Sequence, residues 1–178
     1  MKKIVLVILV MTVFQVTAQS NVELKQHYEA YYNQMRLQGD VRGAINALTH
    51  LDILAPSQAR KDTLAYLYAN SGQYLQAVNV LGSESKSSDS ELAMRVKAIS
   101  LKSLNQPQLA IVHYKALFDR KPNAYLAYEL ADLNLQIGNV ANAKKHIDYG
   151  LNNAMDTDMQ SFYESNPPYK VPLKAAFV

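Results

Sequence analysis

The 178 residues carry 18 basic and 15 acidic side chains, 49% hydrophobic residues and no cysteine. This excludes thiol catalysis, disulfide cross-links and a lipid-modified cysteine, so the fold must be held by packing alone. The length permits one or two domains with a sizeable core.

At the N-terminus, Lys2 and Lys3 precede an apolar run from Ile4 to Phe14, and small residues follow at Thr17-Ala18-Gln19-Ser20. This order predicts a secretory signal peptide, cleaved after about residue 18 or 20. As a helix the apolar run spans roughly 16 Å against a hydrocarbon core of about 30 Å, too short for a retained anchor. The expected mature chain is therefore exported, periplasmic or secreted, with no membrane span. Without Lys2 and Lys3, 16 basic residues face 15 acidic ones. A nearly neutral chain without basic clusters gives no reason to expect a nucleic-acid partner.

From there a repeat runs along the chain. Ala44, Ala77, Ala110 and Ala143 stand 33 residues apart. A turn-like group lies shortly before each: Gly39-Asp40, Ser71-Gly72 with Gln73, Asn105-Gln106 and Gly138-Asn139. One helical turn after each alanine stands a larger apolar residue, Leu48, Leu81, Tyr114 or Ile147. Each unit reads as two short helices. Tyr28, Tyr31, Tyr32 and Met35 recur at i, i+3, i+4, i+7, one face of a helix. Gly39-Asp40 interrupts it, and a second helix buries Ala44, Leu48 and Leu51 before Pro56 stops it. In the third unit Pro107 stands at a helix start, where its missing N–H costs nothing. The fourth unit repeats the scheme with Ala127, Leu130, Ala131 and Asn134, then Gly138-Asn139, then Ala143 and Ile147. Small alanines suit a close crossing of helix axes. The second unit is degenerate. Glu84 takes an apolar place, and Ser83 to Ser90 reads as a polar, loosened joint. Lys97 stands where leucine is expected, with Val96 and Ile99 able to supply the apolar face.

The run of aromatic or leucine pairs, Gly-Asp turn, alanine, larger apolar residue and terminal proline, best seen from Tyr28 to Pro56 and from Asn105 to Pro122, resembles the tetratricopeptide repeat family. The resemblance implies an all-α fold, antiparallel helical hairpins stacked as a right-handed superhelix. After the signal segment 1–20, residues 21–156 would form four hairpins, about 25–57, 58–90, 91–123 and 124–156. Residues 157–178 would add a capping helix and an extended proline-containing tail, packed over the last hairpin or beside Tyr125 and Tyr128.

Catalytic patterns are missing: there is no glycine-rich phosphate loop, no Gly-x-Ser-x-Gly elbow and no His-Glu-x-x-His. His113 and His146 occupy equivalent places, but no third ligand is evident, and they read as solvated histidines on the convex face. No metal and no cofactor is expected. In the family it resembles, ligands contact the first helix of each hairpin. Those places hold Glu29, Asn33 and Arg36; Asp62, Tyr66 and Asn70; Arg95, Ile99 and Lys102; and Tyr125, Tyr128 and Asp132. Glu29 stands where the carboxylate-clamp subclass carries lysine, so a chaperone-tail adaptor is disfavoured. The expected function is a non-enzymatic protein-interaction module of the bacterial cell envelope that holds a protein or peptide partner in its groove. The alternatives are an assembly protein self-associating through the apolar C-terminal tail, or an enzyme or glycan-binding protein.

Overall fold

The computed structural model describes residues 21–153, all-helical among those residues. The expected signal peptide and the expected cap and tail beyond residue 153 lie outside the described residues. Helix α1 covers residues 21–38. It is followed by α2 Val41–Leu54, α3 Gln58–Asn70, α4 Tyr74–Leu81, α5 Glu91–Ser103, α6 Pro107–Arg120, α7 Ala124–Gln136 and α8 Val140–Asn153. From α2 onward each helix packs on the next, and α3 also lies against α5.

The turn chemistry repeats as the alanines do. Gly39, Gly72, Asn105 and Gly138 all adopt positive φ, at 73°, 76°, 55° and 75°. Only glycine, and less comfortably asparagine, takes that conformation readily. Each closes the helix before it in a Schellman motif, with the N–H of Asp40, Gln73, Gln106 and Asn139 reaching back to the carbonyls of Met35, Tyr68, Leu101 and Asn134 at 2.8–2.9 Å. Asp40 then caps α2 through Gly43 N–H at 2.9 Å. Helices α3, α5 and α7 are capped by Ser57, Ser90 and Asn123, which share one place in the register. Pro107 begins α6.

These turns return the chain so that successive helices pack on one another. Ala44, Ala77, Ala110 and Ala143 are all buried. Leu48 and Leu51 of α2 pack with Leu64 of α3, with Tyr28 and Tyr32 of α1 laid over them. The largest cluster joins Met94, Ala98 and Leu101 of α5, Ala110, Tyr114 and Leu117 of α6, and Leu126, Leu130 and Leu133 of α7. Ala44→Leu and Ala143→Leu should each cost about 1–3 kcal/mol by overpacking. Ala141→Leu, at an exposed place on α8, should cost far less. Urea midpoints of the three variants check this.

Two expectations, one about the second unit and one about the third, are corrected. Lys97 is not displaced from the core by a rotation that turns Ile99 inward. Val96 is buried in the core as expected, but Lys97 is itself fully buried and Ile99 is exposed. The segment from Ser83 to Ser90 is not a loosened joint either, because side chains from α3, α5 and α6 hold it, as described below.

Candidate functional site

Successive odd-numbered helices present the residues expected to line a groove. Asn33 and Arg36 of α1, Tyr66 and Asn70 of α3, and Arg95 of α5 are exposed. Tyr66 and Ile99, one repeat apart, are 43% and 44% exposed, large apolar surface left to solvent on two helices that pack together. Arg95 forms a two-pronged contact with Glu91 on its own helix, at 2.8 and 3.1 Å. That pairing holds the exposed Glu91 carboxyl below its ordinary range. Lys102 of α5 and Asp132 of α7 are half-buried and approach to 3.6 Å. Tyr125 packs against the large core cluster, and Tyr128 packs beside Ala124 and Ala127.

Asp62 departs from the expected ladder. It is buried, accepting hydrogen bonds from Gln58 Nε2 at 2.7 Å and from Ser90 Oγ at 2.6 Å. It therefore ties α3 to the cap of α5 and offers no free carboxylate to a groove. A position chosen by register faces inward here because the neighbouring strand of chain supplies a hydroxyl donor.

Two polar clusters lie beneath this surface. In the first, the buried Glu129 of α7 takes Lys102 Nζ of α5 at 2.5 Å. The hydroxyls of Tyr114 and Tyr125 also hydrogen-bond with Glu129. Burial, with the carboxylate beside them, pushes both phenols up. Burial would lower the Lys102 ammonium, but Glu129 and Asp132 outweigh it and raise it. Sequence reasoning passed over Glu129. Its signal was an acidic residue in a register place otherwise held by Ala30, Thr63 and Val96.

The second cluster clasps the segment between α4 and α5. Lys97 Nζ donates to Asp89 Oδ2 and to the Glu84 carbonyl, both at 2.8 Å. Asp89 Oδ2 also accepts Lys86 N–H at 2.9 Å, and Arg120 of α6 donates to the Asp89 carbonyl at 3.2 Å. His113 of α6 is fully buried, with Nε2 at 2.8 Å from the Ser83 carbonyl. A carbonyl only accepts, so Nε2 carries the proton and the ring is the neutral Nε2–H tautomer. Its Nδ1 is buried without a partner among the described residues. His113 is thus not a solvated convex-face histidine, whereas His146 is half-buried with its ring edge-on to Phe118.

Burial and the nearby Lys97 hold the His113 imidazole below its ordinary value, with the Ser83 carbonyl and Asp89 opposing. Burial would raise Asp89, but Lys97 and the Lys86 N–H outweigh it and lower it. For both groups the unfolded chain takes up a proton before the folded one does. Stability present above pH 6.5 is therefore lost as pH falls below it through His113, and further below pH 3.8 through Asp89. His146, also lowered mainly by burial, acts in the same direction. Urea midpoints measured from pH 7.5 downward should fall, and His113→Gln should flatten the limb near pH 6 without abolishing it.

A cavity of about 320 Å3 opens between α1 and α3. Leu48 and Leu51 form its floor, Tyr32 and Ala59 its sides, and Glu29, Asn33, Arg60 and Thr63 its polar lining. Glu29 lies 3.7 Å from Lys25 and 3.6 Å from Arg60. Arg60 also donates to the Ala55 carbonyl. Among the described residues no cluster of His, Cys, Asp or Glu is placed to hold a metal ion. Nor is any helix among them long and apolar enough to cross a membrane. No protein-family model matches the chain, and no curated protein matches its sequence.

Proposed function

We propose that the chain is a non-enzymatic binding module, built of four tetratricopeptide-like hairpins in a right-handed superhelix, that holds a polypeptide segment of another cell-envelope protein. The reading is carried by Tyr66 and Ile99, register-equivalent residues both exposed on the packed helices α3 and α5. Exposed apolar surface of this kind, with polar groups such as Asn33, Asn70 and Asp132 on the odd-numbered helices, suits a protein partner. Tyrosine contributes area and a hydrogen bond with little loss of entropy. The register of turns and buried alanines supports the family reading, and the lysine pair and short apolar run at residues 2–14 support export.

A photo-reactive amino acid placed at position 66 or 99 in intact cells tests this. Each should cross-link one heterologous polypeptide, and the same probe at Asn79, exposed on α4, should not. Adding Tyr66→Ala to the probe at position 99 should weaken capture by about tenfold, as expected for an anchor residue. Links to a second copy through the C-terminal segment would favour self-assembly instead.

A further inference from the structure

The cavity between α1 and α3 has a counterpart two repeats along, and the two differ greatly in volume. Glu29, Leu51 and Arg60 line the first; Arg95, Leu117 and Leu126, each 66 residues later, line the second, where only about 20 Å3 remains. Tyr32 of the first interval becomes the smaller Ala98 in the later one, but three other register places change the opposite way. Leu48, Ala59 and Thr63 of the first interval become Tyr114, Tyr125 and Glu129 in the later one. There the two phenol rings pack into the core and hydrogen-bond with Glu129. The first interval keeps the same frame, with the Tyr32 ring of α1 in its lining but no ring at positions 48 and 59.

We infer that this cavity seats an aromatic side chain, tyrosine above all, of the polypeptide held in the groove. The inference rests on the reading of the chain as a binding module and names its anchor. The volume falls at the lower end of the range for ligand sites, about 300–1,000 Å3. Leu48 and Leu51 offer an apolar floor to a ring, while Asn33, Thr63 and Glu29 line the cavity with groups able to pair with a phenol hydroxyl. Glu29 is paired with both Lys25 and Arg60, so the lining presents no free carboxylate to attract a cationic side chain. In effect the partner supplies in trans the ring that α7 supplies to its own interval.

The test uses methyl-labelled full-length chain titrated with p-cresol, the side chain of tyrosine, and with n-butylammonium as the cationic control. Saturable shifts of the Leu48 and Leu51 methyls are expected with p-cresol and none with butylammonium. Ala59→Tyr copies Tyr125, and Ala59→Leu copies its other counterpart, Leu92. Both should fill the cavity, abolish the p-cresol shifts and melt at or above the wild-type temperature. Absent shifts, equal shifts with butylammonium, or shifts that persist in both filled variants would overturn the inference. So would failure of both variants to fold, since the filled intervals would then not be equivalent. Methyl shifts that follow protein concentration alone would assign the cavity to a second copy and also overturn it. Cross-linking from positions 66 and 99 reads the module function separately. If those links fail while p-cresol binds, the module reading falls and the aromatic pocket stands.

Discussion

Replacing Lys97 with alanine is expected to destabilise the folded chain by about 3–5 kcal/mol, the usual consequence of removing one partner from a buried ion pair. The Lys97 side chain is fully buried, and it satisfies both the Asp89 carboxylate and the Glu84 carbonyl. Its loss leaves an almost fully buried carboxylate held only by the Lys86 N–H, and an unpaired carbonyl. The buried methylene stem also fills space that alanine would vacate. Lys97→Met restores the stem without the charge and should recover part of the loss. In Lys97→Met with Asp89→Asn, neither partner retains a charge to strand, so the double variant should cost less than the sum of its parts. Urea unfolding followed by circular dichroism measures the wild type, the two Lys97 variants, Asp89→Asn alone and the double variant. If Lys97→Ala costs under about 1 kcal/mol, as an exposed pair would, the clasp is not formed as described.

The clasp also marks where the sequence stopped being readable. Local chemistry was legible: glycine at positions 39, 72 and 138 announced left-handed turns, and asparagine at 105 filled the same role. Ala44, Ala77, Ala110 and Ala143 announced packed places, and all four are buried. Ser57, Ser90 and Asn123 were equally open to reading as periodic caps, yet the serine-rich surroundings of Ser90 disguised it. The buried polar groups were a different matter. His113 meets Ser83, Ser90 meets Asp62 and Lys102 meets Glu129 across gaps of 30, 28 and 27 residues. A helical period says which face a side chain occupies, but not whether a donor 30 residues away will meet it there. Lys97 and Glu84 therefore looked like damage to the repeat, when one supplies the ammonium and the other the carbonyl of a single contact.

The same distinction governs the candidate site. Register placed Tyr66 on an outer face, whereas Ile99 was open to either an outer place or a rotated, inward one. It failed at Asp62, whose inward turn depends on the Ser90 hydroxyl. It could not reveal the cavity at α1 and α3, because Ala59 is an unremarkable alanine until Leu92 and Tyr125 are set beside it. Cavities arise from differences between repeats, and a consensus pattern discards those differences.

Glu129→Ala should cost about 2–4 kcal/mol, less than Lys97→Ala although Glu129 is also buried. The reason lies in its partner. Lys102 keeps about a third of its side-chain surface in solvent, so an ammonium released from Glu129 can hydrate and retain Asp132 at 3.6 Å. The loss then comes chiefly from Tyr114 and Tyr125, whose buried hydroxyls would lack their shared acceptor. Glu129→Gln keeps an acceptor of the same shape and should lose less than half as much. Alkaline unfolding supplies an independent reading. Tyr114 and Tyr125 titrate higher in the folded chain than their ordinary value of 10.0, so above that pH the unfolded chain ionises first. Lys102, raised above 10.5, contributes stability that is lost as pH climbs through its folded value. All three groups weaken the fold in the same direction, and urea midpoints should fall steadily above about pH 10. In Tyr114→Phe with Tyr125→Phe the phenolic share of that fall disappears while the Lys102 share remains. An alkaline limb unchanged by the double substitution would show that these two hydroxyls are not buried against Glu129.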